Sequence, residues 1–496
     1  MFRNLKSAPW RAWQRTTSRM ATVYLTTTLP YVNAEPHVGF ALEIIQADTW
    51  GRYRRLIGDT VFFSTGTDEH GEKIFRKAME AGEDPQSYTD RYAATFKDLE
   101  DALNLSVNTF IRTTSPAHKR AAQEFWRRCL SNGDIYKKTY QTKYCVGCEL
   151  EKTDSELDHG KCPIHPNLET QLVDEENYFF RLSKYSDQLQ ALFATESFLI
   201  PRYRLNEMIS LIEKEGLQDF SISRLASKMS WGIPVPDDDE QVMYVWFDAL
   251  VNYISTLGWP ENESQFNDFW RNGFTVQFAG KDQVRQQAVM WQAMLLSAGL
   301  PTTKQIFIHG FLSVEGQKMS KSLGNVISPY ALVKKYGTDA TRYLLLRHIH
   351  PFEDSDVSTK KFDEWYNAGL ANGLGNLVAR VMKLAEDNLD APIHTPESMA
   401  LPAELTTALD AYEFNKAMDY VWGKIQALDQ RINAEAPFKL VKTDNAAGQK
   451  IISELVAGLY DISCNLVPFM PDTAQKIREA VLANRKPDSL FTRIEA

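Results

Sequence analysis

TVYLTTTLPYVNAEPHVGFALEII, residues 22–45, decides the fold. Val23 to Thr27 is a short run of apolar and β-branched residues without polar alternation, the pattern of a strand buried on both faces. The loop Leu29 to Pro36 follows. Val38, Leu42 and Ile45 then recur at spacings of four and three, which predicts one face of a helix. Gly58 stops that helix, and Val61 to Ser64 gives a second strand running into GlyThrAspGluHisGly, Gly66 to Gly71. Strand and helix in alternation predict an α/β fold, a Rossmann-like doubly wound parallel sheet.

Working outward, further strands are expected at Gln241 to Phe247, Thr275 to Ala279 and Gln305 to His309. The sheet domain therefore falls into two halves, 21–114 and 237–325, interrupted by an insertion over 115–236 that carries a cysteine cluster within about 140–170. Residues 326–362 connect to a wholly helical part, 363–496. There Phe414, Met418, Val421, Ile425, Leu428 and Ile432 step by four and three, as do Ile452, Leu455, Leu459, Ile462 and Leu466, which predicts a helix bundle.

The length of 496 residues exceeds one ordinary core, and no run is long and apolar enough to cross a bilayer, so no membrane partner is expected. A net charge of −9 gives no global attraction to nucleic acid, so any RNA contact has to come from local basic surface. Residues 1–20 contain Arg3, Lys6, Arg11, Arg15 and Arg19, and the first acidic residue is Glu35. Two readings of this extension stand. It is a targeting peptide, which places the chain in the mitochondrial matrix, or the true start is Met20 and the chain is cytoplasmic.

Three groups of residues carry chemistry. His37 and Gly39 sit at a predicted helix N-terminus after the first strand, where backbone N–H groups attract phosphate, Gly39 admits close approach and His37 can donate. LysMetSerLysSer, Lys318 to Ser322, lies between Gly316 and Gly324, and its two lysines suit a triphosphate whose pyrophosphate is leaving. Cys145, Cys148, Cys162 and His165 read CxxC, a short loop, then CxxH, the spacing of one closed tetrahedral zinc site of structural type. His159 competes for the fourth position.

A HisXGly motif after the first strand with LysMetSerLysSer far downstream resembles the two signatures of class I aminoacyl-tRNA synthetases. LeuProTyrValAsnAlaGluProHis, GlyThrAspGluHisGly, ValTrpPheAspAlaLeu and HisGlyPheLeuSerValGluGlyGlnLysMetSerLysSer are together similar to the methionyl-tRNA synthetase family, from Ala21 to the C-terminus. The resemblance implies ATP-dependent activation of L-methionine, with Mg2+ accompanying ATP, and transfer to tRNA(Met). It implies that His37, Gly39, Phe40, Lys318 and Lys321 hold ATP, and that His37, Lys318, Lys321 and Arg224 serve catalysis. Leu29, Tyr31, Asp68, Trp246, Ala249, Leu250, Tyr253, Gln287 and Trp291 then shape the methionine pocket, with Asp68 on the ammonium. Asn376, Arg380 and Phe438 would read the anticodon from a C-terminal anticodon-binding bundle, and 326–362 would contact the tRNA stem. The family has one-zinc and two-zinc forms, and this chain has ligands for one. The extension through which some relatives dimerise is missing, so a monomer is expected.

Three departures stand out. Phe40 occupies the place of a second signature histidine and cannot donate a hydrogen bond. Gln287 stands for a pocket histidine and Gln283 for an apolar residue. Phe438 stands where a tryptophan often stacks, keeping the face with less area. Other readings are another class I synthetase and a catalytically weak tRNA-binding paralogue.

Overall fold

The computed structural model describes residues 20–148, 150–152, 156–319, 324–396 and 400–495. Its centre is a six-stranded, wholly parallel sheet in the order Thr109–Arg112, Thr60–Thr67, Thr22–Thr26, Phe274–Gly280, Gln305–His309, Leu199–Ile200. The first strand lies in the middle, between the second strand and Phe274–Gly280, so the chain reverses its winding direction there. In a doubly wound sheet that crevice is where ligands bind. The helix Val38–Leu56 begins over this point.

Two elements differ from the sequence expectation. Asp238–Met243 is a strand, but it belongs to a small antiparallel sheet with Ser223–Leu225 and Pro234–Val235, and Val245–Ala249 is already helical. In this helical turn buried Asp248 faces two histidines, His70 and His118. The insertion also gives the edge strand Leu199–Ile200 to the central sheet, and its Pro116–Ser131 helix packs inward, with Phe125 stacked on Trp291. The segment from Ser115 to Pro236 thus shares a core with the sheet. Its own sheet is built on the long hairpin Ile135–Cys145 and Gln171–Phe180.

The C-terminal helices Asn376–Asn388, Phe414–Glu435, Asn445–Leu466 and Pro471–Ala483 form the expected bundle. Its core is continuous with that of the sheet domain. Tyr412 stacks on Trp50 of the first helix, ring centroids 5.5 Å apart, and on Phe307 of the sheet at 5.0 Å. Arg342, fully buried, pairs with Asp48 of the first helix at 2.8 Å and donates to Phe469 O, Pro468 O and Leu103 O. One guanidinium therefore joins the first helix, the connecting segment and the bundle. Among the described residues no helix is long and apolar enough to cross a membrane.

Candidate active site

His37 is the N-cap of the first helix. Its Nδ1 accepts from the Gly39 N–H at 3.1 Å. A Cβ on residue 39 would lie 2.9 Å from His37 Cε1, so only glycine lets the ring fold back this far. With Nδ1 accepting, the neutral ring carries its proton on Nε2 and presents a donor. The ring is open to the cavity, yet the walls around it remove enough water to hold its pKa below the ordinary imidazole value. The helix start itself is less open to anions than the sequence suggests. The Val38 N–H donates to Ile327 O at 2.9 Å, the Gly39 N–H to His37, and the Phe40 N–H to His37 O at 3.1 Å. His37 is therefore the donor that this turn offers a phosphate.

The second signature meets the first at this point. Lys318 ends a short hairpin strand, its backbone paired with Ser313, and Met319 Cε stands 3.6 Å from the Cβ position at Gly39. Together with the Val38 to Ile327 bond, this puts Met319 and Ile327 against the helix start. Lys321 lies outside the described residues, as does the side chain of Lys318.

A cavity of about 680 Å³ opens from here, within the range of small-molecule sites. His37, Gly39 and Phe40 line it, and Phe40 packs edge-on against Phe96 at 5.5 Å. Leu29, Tyr31, Asp68, Trp246, Ala249, Leu250, Tyr253 and Gln287 line it as well, with Tyr31 edge-on to Trp246 and Gln287 bonded to Tyr253. Asp68 is aligned by backbone bonds to the loop: its N–H donates to Pro30 O at 3.0 Å and its carbonyl accepts from Val32 at 3.3 Å. Behind it, Asp248 takes His70 Nδ1 at 2.7 Å on one oxygen and His118 Nε2 at 3.0 Å on the other, all three buried. That cross-brace fixes the GlyThrAspGluHisGly turn relative to Trp246. Trp291 does not line the cavity; it lies behind Tyr253, 5.9 Å away between ring centroids, and is fully buried. Arg224 stands apart as well. It lines a smaller cleft of about 120 Å³ with its guanidinium between Tyr144 and Tyr244, and donates to Ser221 Oγ and Ser223 O.

Sequence reading missed Glu43, Asp282, Gln286 and His309, all of which line the cavity. Glu43 Oε1 accepts from the Thr28 N–H at 2.8 Å and from its hydroxyl at 2.6 Å, and Oε2 lies 2.9 Å from His309 Nε2. His309 Nδ1 is 2.7 Å from Gly310 O and so must donate there. Burial opposes charge on this imidazole, but Glu43 and the carbonyl outweigh it and raise its pKa. A signal existed: Glu43 follows Gly39 by four residues on the predicted helix and so projects from the face that carries the His37–Gly39 start.

Cys145, Cys148, Cys162 and His165 bring one ligand atom each to within 4.8 Å of the others. Cys148 Sγ is 3.4 Å from Cys162 Sγ and 3.3 Å from His165 Nδ1, and Cys145 Sγ is 3.8 Å from that nitrogen. Ligand atoms of tetrahedral zinc stand about 3.5–3.8 Å apart, so the set fits the ion. A Cβ on Gly147 would meet the His165 ring at 2.5 Å, which explains the glycine inside CxxC. His159 is not part of the set; its side chain is 98% exposed. The knuckle forms a third wall of the main cavity through Lys152, Pro163 and Ile164.

In the bundle, Asn376 is exposed at the start of its helix, and Arg380 bonds Asp429 at 2.5 Å and Asn433 at 2.8 Å. The latter contact brings Arg380 to the end of Phe414–Glu435, after which the chain turns at Ala436 into the short helix bearing Phe438. Phe438 is 43% exposed, unusual for an aromatic ring in a packed bundle.

Residues 23–171 and 167–382 match the family model described as tRNA synthetases class I (M). The methionine–tRNA ligase of Thermosynechococcus vestitus is 42% identical over 471 residues, 91% of this chain and 88% of that protein. The chloroplastic/mitochondrial methionine–tRNA ligase of Arabidopsis thaliana is 40% identical over 88% of this chain and 73% of its own length. The structure of Mycobacterium tuberculosis methionyl-tRNA synthetase in complex with methionyl-adenylate superposes with a TM-score of 0.85 at 33% identity, covering 96% of this chain and 99% of that one. With its two signatures meeting at one cavity, the chain belongs to the class I methionyl-tRNA synthetase family.

Proposed function

We propose that the chain activates L-methionine with ATP and transfers it to tRNA(Met). The observation that carries this is the cavity itself, which is lined by His37, Gly39 and Met319 from the two signature segments and by the Asp68 carboxylate with the rings of Tyr31, Trp246 and Tyr253. Asp68 pairs with the substrate ammonium, while Tyr31, Trp246, Leu250 and Tyr253 enclose the thioether, a group that favours aromatic faces. The methionine carboxylate then attacks the α-phosphorus of ATP; the new C–O–P bond forms as the bond to pyrophosphate breaks. A ribose hydroxyl of the terminal tRNA adenosine next takes the acyl group, and AMP leaves.

In this reading His37 Nε2–H and the lysines Lys318 and Lys321 stabilise the phosphates, mainly by position and charge. Arg224 acts from its own cleft only if the insertion closes on substrate. Mg2+ accompanies ATP and offsets phosphate charge. One zinc held by Cys145, Cys148, Cys162 and His165 is structural, since four protein ligands leave no open position. Asn376, Arg380 and Phe438 meet the anticodon, where stacking and hydrogen bonding can read unstacked bases. In this reading the chain acts as a monomer in the cytoplasm; a reporter fused behind residues 1–20 that enters mitochondria would move it to the matrix.

The test is to isolate the adenylate from protein, methionine and ATP, then add tRNA(Met). Acylated tRNA with release of AMP supports the proposal. Tight tRNA binding without adenylate would replace it with the binding-only reading that Phe40 invites.

A further inference from the structure

Trp231, near the end of the insertion, does not line the cavity, yet it grips the turn that carries Asp68. Its Nε1–H donates to Glu69 O at 2.5 Å, and its carbonyl accepts from the Gly71 N–H at 3.5 Å. One residue therefore holds two backbone groups of GlyThrAspGluHisGly, on either side of His70. The indole is itself seated: the buried His70 ring meets it edge-on with centroids 5.6 Å apart, and Lys119 Nζ lies 5.9 Å from its ring centroid. Although it comes from the insertion, Trp231 packs against the core shared by the first half of the sheet and the bundle.

Its place in the chain links this grip to the rest of the site. Trp231 lies between two strands of the small antiparallel sheet, after Ser223–Leu225, which holds Arg224, and before Pro234–Val235. The third strand, Asp238–Met243, leads directly into the helix Val245–Ala249 with Trp246 and Asp248. One small unit thus carries Arg224 and Trp246 together with the two residues that reach the Asp68 turn, Asp248 through His70 at 2.7 Å and Trp231 through the backbone. The turn has separate anchors in the sheet domain, since Glu69 accepts from Arg112 Nε at 2.6 Å and Asp68 bonds the loop 30–32. Without the Trp231 donor it would keep those anchors and loosen from the insertion. The Glu69 carbonyl is one residue from Asp68, so a shift of that peptide moves the carboxylate with it.

We propose that Trp231 is a positioning residue for amino-acid binding. Through Glu69 O and the Gly71 N–H it locks the Asp68 carboxylate to the small sheet that carries Arg224 and leads into Trp246, so that the ammonium site and the insertion move as one unit. Trp231 touches no substrate; its effect passes through Asp68. This rests on the reading that the cavity takes methionine with Asp68 on its ammonium.

The experiment is ATP–pyrophosphate exchange on the full chain, comparing wild type, Trp231→Phe, Asp68→Asn and the double variant. Phenylalanine keeps an aromatic ring and removes the donor. In Trp231→Phe the KM for methionine should rise about three- to tenfold, the usual range for one hydrogen bond, while the KM for ATP moves less than about twofold. In the Asp68→Asn background the same substitution should change the methionine KM less than about twofold, because effects that pass through one partner do not add. An unmoved methionine KM in folded Trp231→Phe overturns the proposal, as do equal rises in both KM values or an equal rise in both backgrounds. Where Trp231→Phe does not fold, or a variant is too slow to give a KM, amide hydrogen exchange on the wild type decides. Methionine should slow it in 66–71 and in 229–233 together, and no slowing in 229–233 overturns the proposal. A wild type without methionine-dependent pyrophosphate exchange would overturn the proposed activity and this inference together, whereas an active wild type with an unmoved KM in the variant removes the inference alone.

Discussion

His37 Nδ1 accepts from the Gly39 N–H at 3.1 Å, and this two-residue loop determines which way the histidine's proton points. Gly39→Ala should push the ring off its cap, because the new Cβ has only 2.9 Å to His37 Cε1. Adenylation should fall at least tenfold in Gly39→Ala and about 10²–10³-fold in His37→Ala, the usual loss for one transition-state donor. Thermal denaturation should show both variants folded, so that a drop in activity reports chemistry.

The same bond predicts a pH profile. Protonation at Nδ1 destroys the acceptor, and the ring's pKa lies below the ordinary value. Adenylation measured against pH should therefore be flat through neutrality and fall only on the acid side of about 6.5, the unperturbed imidazole value. A decline beginning near pH 8 would contradict this account of His37.

Asp68→Asn should raise the KM for methionine about 10- to 150-fold, the range for losing a charge-assisted hydrogen bond, with little change in the KM for ATP. Steady-state kinetics with each substrate varied separately checks the split.

Metal content checks the knuckle. One zinc per chain is expected in the wild type and in His159→Ala, whose side chain faces solvent. Loss is expected in His165→Ala and in Gly147→Ala, where the added Cβ displaces the imidazole.

Arg342→Ala should cost about 3–5 kcal/mol, because it leaves buried Asp48 with Arg52 as its remaining cation and takes the donor from three backbone carbonyls. Although burial opposes its charge, Arg52, Arg342 and Ser106 hold the Asp48 carboxyl well below the usual range. A depressed folded-state pKa means that this contribution is present above the unfolded value, about 3.9, and is lost as pH falls through the folded one. Urea unfolding at pH 7 should show the full cost, and the difference from wild type should shrink in strong acid.

Much of this molecule could be read from sequence where a local rule is strong. The buried strand at Val23, the CxxC and CxxH pairs and the four-and-three stepping in the bundle each depend on neighbours along the chain. The site's polar interior does not. Glu43, His309 and Asp282 are single residues on three elements, and only the fold brings them to one cavity. Gln286 is likewise a single polar residue with no local pattern to mark it, and it lines the cavity only in the folded chain. Leu199–Ile200 is too short to read as a strand by itself. Trp291 is fully buried behind the cavity-lining Tyr253, a placement that sequence pattern does not distinguish from the lining itself.

The most direct test of the central claim is exchange of labelled pyrophosphate into ATP, run on the full-length, zinc-loaded protein against each of the twenty amino acids. The account predicts rapid exchange with methionine and exchange at least a hundredfold slower with the other nineteen. Silence with all twenty in folded protein, or a preference for another amino acid, would contradict it.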